Sequence, residues 1–101
     1  MINDLTVEIR KWAIARKLET ADPNKQMLKL MEEVGELAQG MAKDNGKLVV
    51  DSIGDIYVVL TILSMQLGIT IEDCVEIAYN EIKDRKGKMI NGIFVKEEDL
   101  A

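Results

Sequence analysis

With 101 residues, 48% of them hydrophobic, the chain has room for one domain with its own core and for no second. Eighteen acidic against 13 basic residues give a formal charge of -5, which argues against general binding to nucleic acid or to an anionic membrane. A lone cysteine, Cys74, and no histidine exclude an internal disulfide, a cysteine zinc site and a His base. A metal site here would be built from oxygen ligands, which favours magnesium, manganese or calcium.

The spacing of apolar residues is helical nearly throughout. Ile2, Leu5, Ile9, Trp12 and Ala13 form the apolar stripe of a first helix, predicted from about residue 4 to 18 with Asn3 or Asp4 as its cap. Asp22 before Pro23 reads as an N-cap and a first-turn proline, and the apolar residues from Met27 to Met41 carry a second helix to about Lys43. Asp44-Asn45-Gly46 is a turn, and a third helix is predicted from about Leu48 to Leu67, stopped by Gly68. Thr70 with Asp73 resembles a capping box for a fourth helix reaching about Lys86. Beyond it, Asn91-Gly92 between short apolar pieces predicts a small hairpin, and the acidic end from Lys96 is expected to fray.

The fold class expected is therefore all-α, a four-helix bundle-like protomer with a short C-terminal tail or hairpin. The third helix, apolar on nearly every side over residues 56–63, is expected to be buried almost all round, and part of it to meet another subunit in a homodimer or homotetramer. That run is shorter than the roughly 20 residues that cross a bilayer. Met1-Ile2-Asn3-Asp4 lacks a signal-peptide pattern, so no membrane partner and a cytoplasmic location are expected.

Two acidic clusters carry the candidate chemistry. On the second helix, about 100° per residue places Gln26, Lys29, Glu33, Glu36 and Gly40 on one stripe, with Glu32 further round. No basic residue follows any of the three glutamates at i+4, so the cluster repels itself unless a cation neutralises it. Taken alone, the cluster fits a solvated acidic face better, since the pattern is common on surface helices. On the third helix, Asp51 and Asp55 project from an otherwise apolar surface, either as metal ligands or as acids bonded to a tyrosine or to backbone. Glu33, Glu36 and Asp55 suit octahedral magnesium, which keeps several waters and takes a few carboxylates together with substrate phosphates. Lys83, Arg85, Lys86 and Lys88 form a basic cluster that suits a triphosphate or an ordinary helix end. Lys29 and Gln26 share the acidic stripe, within reach of phosphate. Trp12, Tyr57 and Tyr79 are the aromatic candidates for stacking on a base, or else core residues. A P-loop reading of the segment from Gly40 to Leu48 fails, because the spacing is one residue too long and Leu48 stands where Ser or Thr is needed.

The run Lys29-Leu30-Met31-Glu32-Glu33-Val34-Gly35-Glu36, followed by Asp51-Ser52-Ile53-Gly54-Asp55, closely resembles the EExxE and ExxD motifs of MazG-like nucleotide pyrophosphohydrolases. The segments 21–26 and 82–92 look like those of short stand-alone members, many of them encoded by phages. The resemblance implies an all-α enzyme that hydrolyses a nucleoside triphosphate, canonical or modified, to monophosphate and pyrophosphate with Mg2+, for which Mn2+ can substitute. It makes Glu33, Glu36 and Asp55 metal ligands and Glu32 the residue that orients or deprotonates the water, and it raises Lys83 and Arg85 among the basic residues. Ser52 stands where the family has Glu. Activity would then run through Asp51, through a water held by Ser52 or on fewer ligands; otherwise the chain is a nucleotide-binding or interaction module of the same fold.

Overall fold

The computed structural model describes residues 1–100. Four helices, α1 (Ile2–Ala15), α2 (Pro23–Ala42), α3 (Gly46–Gln66) and α4 (Ile71–Ile82), precede a hairpin of β1 (Gly87–Ile90) and β2 (Ile93–Lys96). The fold is all-α, with this two-stranded sheet as its one β element among the described residues. Two compact units divide the chain, Met1–Ile71 and the segment from Glu72 onward.

Local signals set most of the helix ends. In the first unit, Asp22 accepts a bond from the Asn24 N–H at 2.9 Å, and Pro23 opens α2 where its missing N–H costs nothing. Asn45 likewise caps α3, accepting from the Leu48 N–H at 3.2 Å, so α3 starts two residues before the predicted Leu48. The predicted cap of α1 is wrong: Met1 is the N-cap and makes no side-chain bond. Asp4 instead lies in the first turn, where a negative charge favours the helix, 3.9 Å from the terminal amine. Lys17, in the left-handed region at φ 60°, turns the chain into a 3₁₀ turn, Leu18–Thr20, so α1 ends at Ala15 rather than at the predicted residue 18. Gly68, at φ 75°, follows α3.

The core of the first unit is small and partly polar. Ala13, Val59, Ile62 and Ile71 are its buried apolar residues, joined by Thr6, Glu33, Ser52, Thr61 and Ser64. Hydroxyls inside helices are costly unless a carbonyl one turn back accepts them. Thr6 donates to Ile2 O at 2.8 Å, Thr61 to Tyr57 O at 2.8 Å and Ser64 to Thr61 O at 2.7 Å. The Thr6 and Tyr57 hydroxyls also bond each other, tying α1 to α3, and Gln66 donates to Leu18 O at 2.9 Å.

The expected all-round burial of α3 does not occur in the single chain. Val50 and Ile53 are 71% and 57% exposed, and Asp55 is exposed as well. In the same way, Leu5 and Trp12 of the α1 stripe and Leu28, Met31 and Met41 of α2 face outward. Three helices of this length supply too few neighbours to cover so many apolar side chains. By length and composition, α3 is also apolar enough to cross a membrane, with 21 residues and a mean hydropathy of 1.8 over its most apolar 18. Counting only an uninterrupted apolar run missed this, because the helix continues through small polar residues such as Ser52, Thr61 and Ser64.

In the second unit, α4 ends a turn before the predicted Lys86, where the Arg85 N–H bonds Ile82 O and the chain turns toward the strands. The hairpin is antiparallel, with Gly87 opposite Lys96 and Ile90 opposite Ile93. Asn91 and Gly92, at φ 51° and 80°, form the two-residue turn whose twist suits a hairpin. The end expected to fray forms a 3₁₀ turn, Glu97–Asp99, held by the Glu97 N–H on Lys86 O at 2.8 Å.

Candidate active site

α2 and α3 run antiparallel, with Gly40 against Val49 near their connection and the Gln26 side-chain amide donating to Val59 O at 3.3 Å toward the other end. Between these two points the predicted stripe of α2 meets α3. Glu33 and Gly40 are the two buried residues of α2, and both belong to that stripe.

Glu33 is the centre of the site. It is 6% exposed; Oε1 accepts from Lys29 Nζ at 3.4 Å, and Oε2 is buried with no hydrogen-bond partner. Lys29 therefore supplies relief from one turn before the cluster, a position left out of account when only i+4 was considered. Its side chain is 57% exposed, so solvent weakens the pair.

Glu36 and Asp55 gather on this carboxylate. The charge of Glu33 is the main reason the Glu36 carboxyl is held above its ordinary value. Loss of water, the proximity of the Glu33 carboxyl and the charge of Asp55 add to it, while Lys29 opposes. For Asp55, loss of water comes first, then the charges of Glu33 and Asp51, again with Lys29 opposing. Ionised together, these carboxylates repel one another.

Glu33, Glu36 and Asp55 thus influence one another across the α2–α3 seam, with Asp51 behind Asp55 and exposed. Among the described residues no three acidic side chains converge tightly enough to form a ready metal cluster. The donors nevertheless suit a hard divalent cation: all are oxygens, they repel one another, and Glu33 turns an unpartnered oxygen into the protein. Ser52 is 1% exposed and its hydroxyl has no hydrogen-bond partner. Glu32 is exposed.

The remaining candidates lie elsewhere. Gln26 is engaged by the Val59 carbonyl. Trp12 is half-exposed under the Arg16 guanidinium, 4.2 Å from the ring centre, and lines an open groove of about 420 Å3 with Leu5, Glu8, Ile9 and Val58. Tyr57 is bonded to Thr6. Lys83 and Arg85 belong to the second unit and are exposed. Arg85 borders a cleft of about 560 Å3 in which Lys86 and Lys96 join it against Glu81, Asp84, Glu97 and Glu98.

Residues 14–90 match the MazG nucleotide pyrophosphohydrolase domain, a span that takes in both acidic helices and the start of the hairpin. The chain belongs to the MazG family. A relative from Haemophilus phage HP1, described as an uncharacterized 18.2 kDa protein in the rep-hol intergenic region, is 47% identical over 66 residues. That stretch is 64% of this chain and 40% of the phage protein, so the chain spans well under two thirds of its relative. No solved structure matches. Membership of the MazG family points to nucleotide pyrophosphohydrolase chemistry in general, and MazG enzymes as a group work with a divalent metal.

Proposed function

We propose that the protein is a Mg2+-dependent pyrophosphohydrolase that converts a nucleoside or deoxynucleoside triphosphate to the monophosphate and pyrophosphate. The observation that carries this reading is the buried Glu33 of a MazG-family chain, with Oε2 unpartnered and its charge felt by Glu36 and, across the α2–α3 seam, by Asp55. Glu33, Glu36 and Asp55 would hold the ion, with Asp51 behind them. A bound Mg2+ lowers the pKa of water and offsets phosphate charge. Glu32, exposed beside the ligand stripe, accepts the proton of the attacking water. Lys29 holds the Glu33 carboxylate in place through Oε1. Trp12, in the same unit as the acidic seam, offers a flat face to the base.

The exposed apolar residues of α1, α2 and α3 support a homodimer or homotetramer, since a second copy is the partner available to a chain that leaves Val50, Ile53, Leu28 and Met41 in water.

A second reading has one observation in its favour. The buried Ser52 stands at the position of the family's Glu, and a chain that has lost turnover there while keeping the fold would act as a nucleotide-binding module. Product analysis by ion-exchange chromatography, after incubation with Mg2+ and a panel of canonical and modified NTPs and dNTPs, separates the two. Monophosphate and pyrophosphate, absent with Asp55→Ala, are expected. No turnover across the panel, with Mn2+ also tried, would favour the binding module.

A further inference from the structure

We propose that Gly40 is a positioning residue, which sets the spacing of α2 and α3 and so the distance across which Glu33 and Glu36 face Asp55. This rests on the reading of those three carboxylates as the metal site. Gly40 is buried on the same stripe of α2 as Glu33 and Glu36, one turn beyond Glu36 and two turns beyond Glu33. A Cβ built there would lie 3.2 Å from Leu48 Cγ, from Val49 Cγ2 and from the Val49 backbone nitrogen. Each contact is tighter than a methyl group ordinarily tolerates. The third is to backbone, which cannot rotate away as a side chain can.

The close approach sits at the closed end of the helical hairpin. There the Gly40 carbonyl accepts the Asn45 N–H at 2.8 Å, and Asn45 caps α3. Backbone on both sides of the contact is therefore held by hydrogen bonds, and an added methyl has to be accommodated by moving one helix relative to the other. A wedge at the closed end of an antiparallel pair opens the seam further along it, and the first residues it reaches are Glu36 and Glu33. Gly40 differs in this from Gly35 on the same helix and from Gly54 on α3, where an added Cβ would meet nothing within 4 Å. The phase of Gly40 on the acidic stripe thus has a use beyond helix packing: it lets α2 and α3 approach each other on the side where the mutually repelling carboxylates face across the seam.

The test compares the parent with Gly40→Ala, Gly35→Ala and the double variant Gly40→Ala/Val49→Ala, which removes one of the three close atoms. Crystal structures give the Cα separations of residues 33 and 36 from 55; calorimetry gives Mn2+ affinity; product analysis gives kcat and KM separately. A 1 Å misplacement at a reacting centre can lower a rate about 100-fold. The overlap at Gly40 asks its neighbours to give by a few tenths of an ångström, so Gly40→Ala is expected to widen the acidic seam by about that much, weaken Mn2+ binding measurably, and lower kcat about threefold with a smaller change in KM. Gly35→Ala should change none of these, and the double variant should recover part of the Mn2+ affinity. A purely structural role would lower the melting temperature of Gly40→Ala and leave both the separations and the Mn2+ affinity of the folded protein unchanged, which overturns the proposal. Should Gly40→Ala not fold, the double variant takes its place, and separations equal to the parent's overturn the proposal in the same way. A parent that binds no Mn2+ refutes the metal reading, while the measured separations still decide whether Gly40 spaces the helices.

Discussion

Replacing Glu33 by methionine, which keeps the length of the side chain and its helix propensity, sets the costs of the buried carboxylate against its one favourable contact. The contact is the Lys29 pair at 3.4 Å, and with Lys29 57% exposed it contributes roughly 0.2–1 kcal/mol. Against it stands Oε2, buried without a hydrogen-bond partner, a situation that costs about 1–3 kcal/mol. The repulsion by Glu36 and Asp55 acts in the same direction. In EDTA, Glu33→Met should therefore be more stable than the parent by about 1 kcal/mol. In a domain of this size that raises the melting temperature by roughly 4–8 °C. Magnesium should reverse the order. An ion that binds only the folded parent at 100 times its dissociation constant adds about 2.7 kcal/mol, and the variant, lacking the central ligand, should gain little. Differential scanning calorimetry with and without Mg2+ checks both halves. A variant less stable than the parent in EDTA would refute the account of Glu33 as a strained ligand, and equal Mg2+ shifts in the two proteins would remove it from the metal site.

Further expectations concern residues around the same seam. Because Glu36 and Asp55 are held above their ordinary values, the folded protein binds protons more tightly than the unfolded chain, and stability should fall as pH rises through the window just above the ordinary carboxylate range of roughly pH 4. Melting in EDTA from acid to neutral pH should show this slope, and Asp55→Asn should flatten it; an unchanged slope would contradict the coupling of Asp55 to Glu33. Ser52→Glu, which restores the family motif in sequence, should cost about 3 kcal/mol or more, because position 52 is 1% exposed and would bury a carboxylate. Urea unfolding measures that cost, and a neutral effect would mean the new side chain reaches solvent or cation. Tyr57→Phe removes the hydroxyl bond from α3 to Thr6 and should cost about 1 kcal/mol by the same assay.

Signals that act within a turn or two were legible in the sequence. Asp22-Pro23 starts α2, Gly68 follows the end of α3 and Asn91-Gly92 forms the hairpin turn, because cap geometry, proline and positive φ depend on residues a few places apart. The phase of Glu33, Glu36 and Gly40 on one stripe follows in the same way from the pitch of the helix. The motifs spaced over α2 and α3 were enough to indicate the family, since the spacing of carboxylates along a helix is read directly from the sequence.

Tertiary structure decided which of these positions are buried. Periodicity marks an apolar face but does not count the neighbours available to cover it, so Leu5, Leu28 and Ile53 face outward while Thr6, Ser52 and Thr61 fill the interior. Asp55, expected inside, lies exposed, and Glu33 is the buried acid, because the antiparallel approach of α2 and α3 brings the acidic stripe of α2 onto the seam. Thus helix pitch and capping chemistry let the sequence by itself determine the helices and the phase of the acids. The helix pairing decided how close those acids come and which lose water, since both depend on atoms brought together from distant parts of the chain.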